Sequence, residues 1–266
     1  MLNKMLSSST PDESVPLISG PPLRRRENRS FMGSCFILIA GILVLFYMYR
    51  LLIGYQSDVT CSSPKYDYDI LAIRWTPSFC STRKCINLTE NWEIHGLWPS
   101  WSNGSEGPED CCSKPTFFET ELKTILPQLS VDWPNQIPTK DQDSLWNHEW
   151  SKHGTCSTLS RSKNGLLNYF NTTLALFHRY PIQSWLNEAK IKPTPIDQKF
   201  AYTLDEIHEA IESKTNSTIS IHCTKLGAKI KLLDTIYLCF KSPSMELISC
   251  PADRCYSAKK VILPQK

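Results

Sequence analysis

Ten of the eleven cysteines in this 266-residue chain lie beyond residue 58, and the eleventh, Cys35, sits inside an uncharged apolar run from Phe31 to Tyr49. That partition constrains the fold more than any other feature. An even set of ten allows five bridges, and so many thiols in one segment point to an oxidising compartment or to metal sites. The run itself, FMGSCFILIAGILVLFYMY, shows no polar face, which a soluble helix of that length would show. At about 1.5 Å per residue it makes about 28 Å of helix, close to the hydrocarbon thickness of a bilayer. A cleaved leader would have a shorter apolar region and a small-residue cleavage site, and RLLIGYQSDV after the run offers none. Residues 31–49 are therefore expected to form a retained transmembrane signal anchor.

Arg24, Arg25, Arg26 and Arg29 precede the run, and only Arg50 follows it directly. The positive-inside rule then puts the N-terminus in the cytosol and the rest in the lumen or outside, a single-pass type II arrangement. Residues 1–30, rich in Ser and Pro without hydrophobic period, read as a disordered cytosolic tail. Within the tail, Glu13 to Ile18 resembles an acidic dileucine sorting signal, which implies a sorting adaptor as partner and endolysosomal routing. Residues 50–64 read as a juxtamembrane stalk and 65–266 as one luminal domain. Sequons at Asn87, Asn103, Asn171 and Asn216 lie on the luminal side and are candidate glycosylation sites.

The net charge of +3 belongs to the first part of the chain: residues 58–266 carry 23 basic and 23 acidic residues. Gross basicity therefore does not support tight nucleic-acid binding through many phosphates. An apolar fraction of 41% excludes wholesale disorder, and no repeat or heptad is present. Strand-like runs fall at Tyr68–Trp75, Thr218–His222, Lys229–Phe240 and Glu246–Cys250. Helix-like runs fall at Pro115–Leu126, Asp143–His153, Leu166–Arg179 and Leu204–Ser213, the last opened by a Thr203–Glu206 capping box. The mixture without regular β-α-β alternation indicates an α+β class.

Two segments carry chemistry: NWEIHGLWP around His95, and LWNHEWSKHGTC holding His148, Glu149, Lys152 and His153. On a helix, His148 and Lys152 are four apart, as are Glu149 and His153, so the four polar groups lie on adjacent ridges. Two imidazoles, a carboxylate and an ammonium are unsuited to a hydrophobic core. They suit a site that handles a phosphate and moves protons. A zinc-peptidase H-E-x-x-H motif is excluded, because the second histidine comes five residues on. Five residues turn a helix by about 140°, so the imidazoles do not converge on one ion.

HGLWP at 95–99 and HEWSKHGTC at 148–156, in this order and roughly fifty residues apart, resemble the two active-site segments of the ribonuclease T2 family. Leu145 stands where the family pattern has Phe, and Arg74-Trp75-Thr76-Pro77 where it usually has Gln-Trp-Pro. The resemblance implies an α+β fold with a central antiparallel sheet, flanking helices and disulfides, as a monomeric catalytic domain. It implies cleavage of single-stranded RNA through a 2′,3′-cyclic phosphate, without metal or cofactor. His153 would be the general base and His95 the general acid. His148 would bind phosphate, and Lys152 would stabilise charge on it. Glu149 would orient the cluster and set the His153 pKa by contact. Trp98 and Trp101 would stack on bases. The resemblance also implies bridges Cys80–Cys85, Cys239–Cys250 and Cys223–Cys255. Cys156 would join Cys111 or Cys112, leaving the other for Cys61. A catalytically silent glycoprotein acting through binding partners is the alternative. His178, His208 and His222 read as structural or surface residues.

Overall fold

The computed structural model describes residues 39–50 and 61–266 apart from 63, 87, 104–106, 114, 252, 256 and 257. The chain divides into two units, residues 1–58 and 59–266. In the first, residues 39–50 are helical and exposed along their whole length. Among the described residues no helix is long and apolar enough to cross a membrane. Residues 31–38 of the expected anchor lie outside the described residues, as do the tail, the Glu13–Ile18 motif, Cys35 and most of the expected stalk.

The second unit contains strands β1 (Tyr68–Trp75), β2 (Trp92–Ser100), β3 (Tyr202–Thr203), β4 (Ser220–Leu226), β5 (Ile230–Lys241), β6 (Glu246–Ile248) and β7 (Lys260–Val261). The main sheet is antiparallel in the order β2-β1-β5-β4, with β6 also paired to β5, and β3 and β7 form a separate pair. All eight residues of β1 are buried, which fits its near-continuous apolar run. Leu71, Ile73 and Trp75 enter the large core shared with the helices, and Ile70 and Ala72 pack with Tyr237 and Cys239 in a smaller one.

The helices are α1 (Thr76–Cys80), α2 (Leu126–Asp132), α3 (Gln142–Lys152), α4 (Gly165–Arg179), α5 (Ile182–Glu188) and α6 (Leu204–Thr215). In α4, Leu166, Tyr169, Phe170, Thr173 and Leu174 make one buried face at helical spacing. The expected capping box forms at α6: the Glu206 amide donates to Thr203 Oγ1 at 3.2 Å, and the Thr203 amide donates to Glu206 Oε2 at 2.7 Å. The expected helix Pro115–Leu126 does not form. A 3-10 turn, Glu119–Leu122, precedes α2, which carries Pro127 in its first turn. Proline lacks an N–H and is tolerated only there, so the helix starts afresh at that point.

Five disulfides close the domain: Cys61–Cys112, Cys80–Cys85, Cys111–Cys156, Cys223–Cys255 and Cys239–Cys250. The choice left open at the adjacent pair is thereby resolved, with Cys111 joined to Cys156. Removing such a bridge typically costs about 2–5 kcal/mol.

Candidate active site

β2 is an edge strand of the main sheet, and it is irregular at one place. Ala72 faces Gly96 and Ile73 faces Ile94, so His95 is an extra residue with no partner on β1. A bulge of this kind re-aims a side chain. The strand was not foreseen around His95, since Gly96 and Pro99 depress strand propensity, but an edge strand accommodates both. The bulge is pinned from below: Trp133 Nε1 donates to the His95 carbonyl at 2.9 Å, and the Tyr169 hydroxyl donates to the Leu97 carbonyl at 2.8 Å.

The second segment forms α3. Trp146, Glu149 and Trp150 are buried, whereas His148 is exposed and Lys152 half-buried. The four polar groups therefore do not share one face. The helix stops at Lys152, and the His153 amide still donates to the Glu149 carbonyl at 3.1 Å. Gly154 follows because a Cβ there would lie 2.6 Å from Trp150 Cε3.

Trp98 joins the two segments. Its Nε1 donates to Glu149 Oε2 at 2.8 Å, and its ring lies 5.0 Å from that of His95 and 5.5 Å from that of His153. The rings of His148 and His153 are 6.3 Å apart. Glu149 Oε1 stands 4.0 Å from His95 Nε2. This corrects the expected Glu149–His153 side-chain contact: the carboxyl accepts from Trp98 and faces His95 at the bulge instead. Trp101 is not brought in; its Nε1 donates to the Lys65 carbonyl at 3.0 Å. Gly96 is dictated by the same junction, since a Cβ there would fall 2.2 Å from Glu149 Oε2 and 2.3 Å from Trp98 Nε1. Gly96→Ala is expected to displace Trp98 and lower turnover by roughly tenfold or more, because small misplacements of reacting groups cost rate. Steady-state kinetics on a variant with an unchanged melting temperature checks this.

The electrostatics follow from enclosure. Burial pushes the Glu149 carboxyl up to about 8, against the Trp98 hydrogen bond and the charges of Arg74 and Lys152. Burial, then the charge of Arg74 and the neighbouring imidazoles of His153 and His148, hold His95 well below the usual imidazole range. Burial, then Lys152 and His148, bring His153 down to about 3. At neutral pH His153 is thus neutral and Glu149 an uncharged acid, and His95 is held toward its neutral form. Among the described residues no group of three or more His, Cys, Asp or Glu side chains is placed to hold a metal ion.

Two further charged neighbours, neither expected as a site residue, stand beside the site: Arg74, seen in the sequence only as a departure from the family pattern, and Glu109. Glu109 Oε1 lies 3.1 Å from Lys152 Nζ, and its only signal was a place two residues before Cys111. Arg74 is buried 3.8 Å from Glu93 Oε2, its strand partner, and sends its charge toward His95. The remaining histidines bind carboxylates: His178 to Asp132, His222 near Asp234, and His208 clamped between Glu212 and Asp253 at 2.7 and 2.8 Å. Asn103, Asn171 and Asn216 are exposed, and Asn87 lies outside the described residues.

Comparisons with known proteins bear on this site. Residues 66–250 match the family model described as the Ribonuclease T2 family. Ribonuclease Oy of Magallana gigas is 33% identical over 190 residues, covering 70% of this chain and 87% of that protein. Ribonuclease T2 of Sus scrofa is 30% identical over 186 residues, covering 68% and 88%. The crystal structure of RNase NT in complex with 5′-AMP is similar with a TM-score of 0.65 and 26% identity, covering 76% of this chain and 99% of that one. Ribonuclease MC1 from the seeds of bitter gourd gives 0.65 and 26%, covering 74% and 100%.

Proposed function

This chain belongs to the ribonuclease T2 family of endoribonucleases, and from that premise we propose that it cleaves single-stranded RNA by metal-independent transesterification. The observation that carries the reading is the pair of imidazoles flanking Trp98, with rings 5.0 and 5.5 Å from the indole. His153 takes the proton of the 2′-hydroxyl. The 2′-oxygen bonds to phosphorus, the bond from phosphorus to the 5′-oxygen breaks, and His95 gives its proton to that oxygen. The products are a 2′,3′-cyclic phosphate and a 5′-hydroxyl. DNA lacks the nucleophile and does not react. Lys152 supplies positive charge for the phosphoryl oxygens, and His148 helps bind the phosphate. The uncharged Glu149 holds Trp98 in place and faces His95. Trp98, half-buried, keeps an open part of its ring for a base. A digest in EDTA is expected to leave cyclic phosphate ends; loss of activity on chelation overturns the mechanism.

The uncharged run 31–49 supports a type II signal anchor, with the catalytic domain luminal and glycosylated at Asn87, Asn103, Asn171 and Asn216. The Glu13–Ile18 motif supports endolysosomal sorting through a cytosolic adaptor. Leu17→Ala with Ile18→Ala is expected to move the full chain to the cell surface, read by surface biotinylation. An unchanged distribution removes the sorting proposal.

A further inference from the structure

Lys152 does not stand free in the site. Its ammonium lies 3.1 Å from Glu109 Oε1, and both side chains are about one-third exposed, at 35% and 30%. An exposed ion pair on a mobile loop would mean little, but this loop is clamped on several sides. Gly107 rests against the end of β2, where a Cβ would meet the Pro99 carbonyl oxygen at 1.6 Å. The Asp110 amide donates to the Lys152 carbonyl at 2.9 Å, and Asp110 takes a left-handed φ of 52°. Cys111 is bridged to Cys156, four residues past Lys152, and its carbonyl accepts from the Ser62 amide at 2.7 Å. The backbone on both sides of Glu109 is therefore fixed to the two elements that carry His95 and His153.

We propose that Glu109 is a positioning residue for the reaction, which holds the Lys152 ammonium beside His153 with one donor engaged and the others directed to the scissile phosphate. An ammonium has three donors, so the pair and a phosphate contact are compatible. A lysine stem carries considerable rotamer entropy, and the anchored carboxylate removes that freedom before substrate arrives. Because the loop is stapled, Glu109 cannot follow a wandering lysine; the lysine is held where the loop is. Among the described residues, His153 and Glu149 on the α3 side feel its charge, and Glu109 pairs with it from the loop. Lys152 is the leading charge that lowers the His153 pKa, so its placement has a reporter of its own.

The proposal rests on the ribonuclease reading, and wild-type cleavage of RNA is the control that separates the two. In the full chain, Glu109→Ala is expected to lower kcat about tenfold with KM changed less than twofold. The acid limb of its rate profile is expected to move to higher pH, since Lys152 no longer stands by His153. Glu109→Gln keeps an acceptor at the same reach and is expected to recover most of the rate. A Glu109→Ala enzyme as fast as or faster than wild type, or one slower with an unmoved acid limb, overturns the positioning role. Should Glu109→Ala fail to fold, Glu109→Asp shortens the tether by one methylene and is read the same way. A wild-type chain inactive on RNA overturns the ribonuclease reading itself.

Discussion

Replacing His95 or His153 by alanine lowers turnover on single-stranded RNA by about 100- to 10,000-fold, the usual range for a positioned acid or base. The domain is expected to survive both changes. What these positions give to the fold they give through the backbone: the His95 carbonyl accepts from Trp133, and the His153 amide donates to the Glu149 carbonyl. Alanine keeps both bonds. Neither imidazole is among the fully buried side chains that fill the core, where Trp75, Trp133, Trp146, Tyr169 and Phe170 dominate. The double variant is expected to be hardly slower than the worse single one, because the two groups serve one proton transfer sequence and such losses do not add. Turnover is read beside circular dichroism and the melting temperature. Near-normal rates in a folded variant remove the assignment. A rate loss that tracks unfolding leaves the histidines as structural groups and has the same consequence.

How much of this was readable beforehand depended on how local the signal was. β1, β5, α3, α4 and the α6 capping box follow from apolar spacing and turn residues within their own segments, and the structure has them within a few residues of the expected bounds. The chemistry-bearing residues were legible as types, because imidazoles, a carboxylate and an ammonium among tryptophans have no place in an apolar core. Their mutual geometry was not. The bulge at His95 is set by the register against β1, a long-range pairing with no signature in HGLWP. The side-chain partner of Glu149 was misjudged because helical spacing says nothing of Trp98 and His95, which β2 brings to the carboxyl. Glu109 was invisible for a similar reason: only the Cys111–Cys156 bridge brings its loop to Lys152. Long-range contacts decided what local pattern left open.

The rate itself should report these electrostatics: kcat/KM is expected to rise as pH falls below 7, along an alkaline limb set by His95. The profile of kcat/KM follows the free enzyme's groups. Catalysis needs His95 charged and His153 neutral. His153, brought down to about 3, is neutral across this whole range. His95, held well below the usual imidazole range by burial and by Arg74, is mostly neutral at pH 7 and gains its proton only as pH falls. Above its pKa the active fraction drops tenfold per unit. An ionised Glu149 only 4.0 Å away would hold that proton at neutral pH, but its carboxyl, pushed up to about 8, is uncharged there. Arg74 supplies a check on the cause. Arg74→Gln alone would strand the buried Glu93, so the paired change Arg74→Gln with Glu93→Gln removes both charges together. Without the Arg74 charge His95 protonates more readily, and the alkaline limb is expected to shift upward by a fraction of a pH unit. A flat profile between pH 5 and 7 would falsify the assignment of His95 as the acid, and an unmoved limb in the paired variant would remove Arg74 as a cause of its depression.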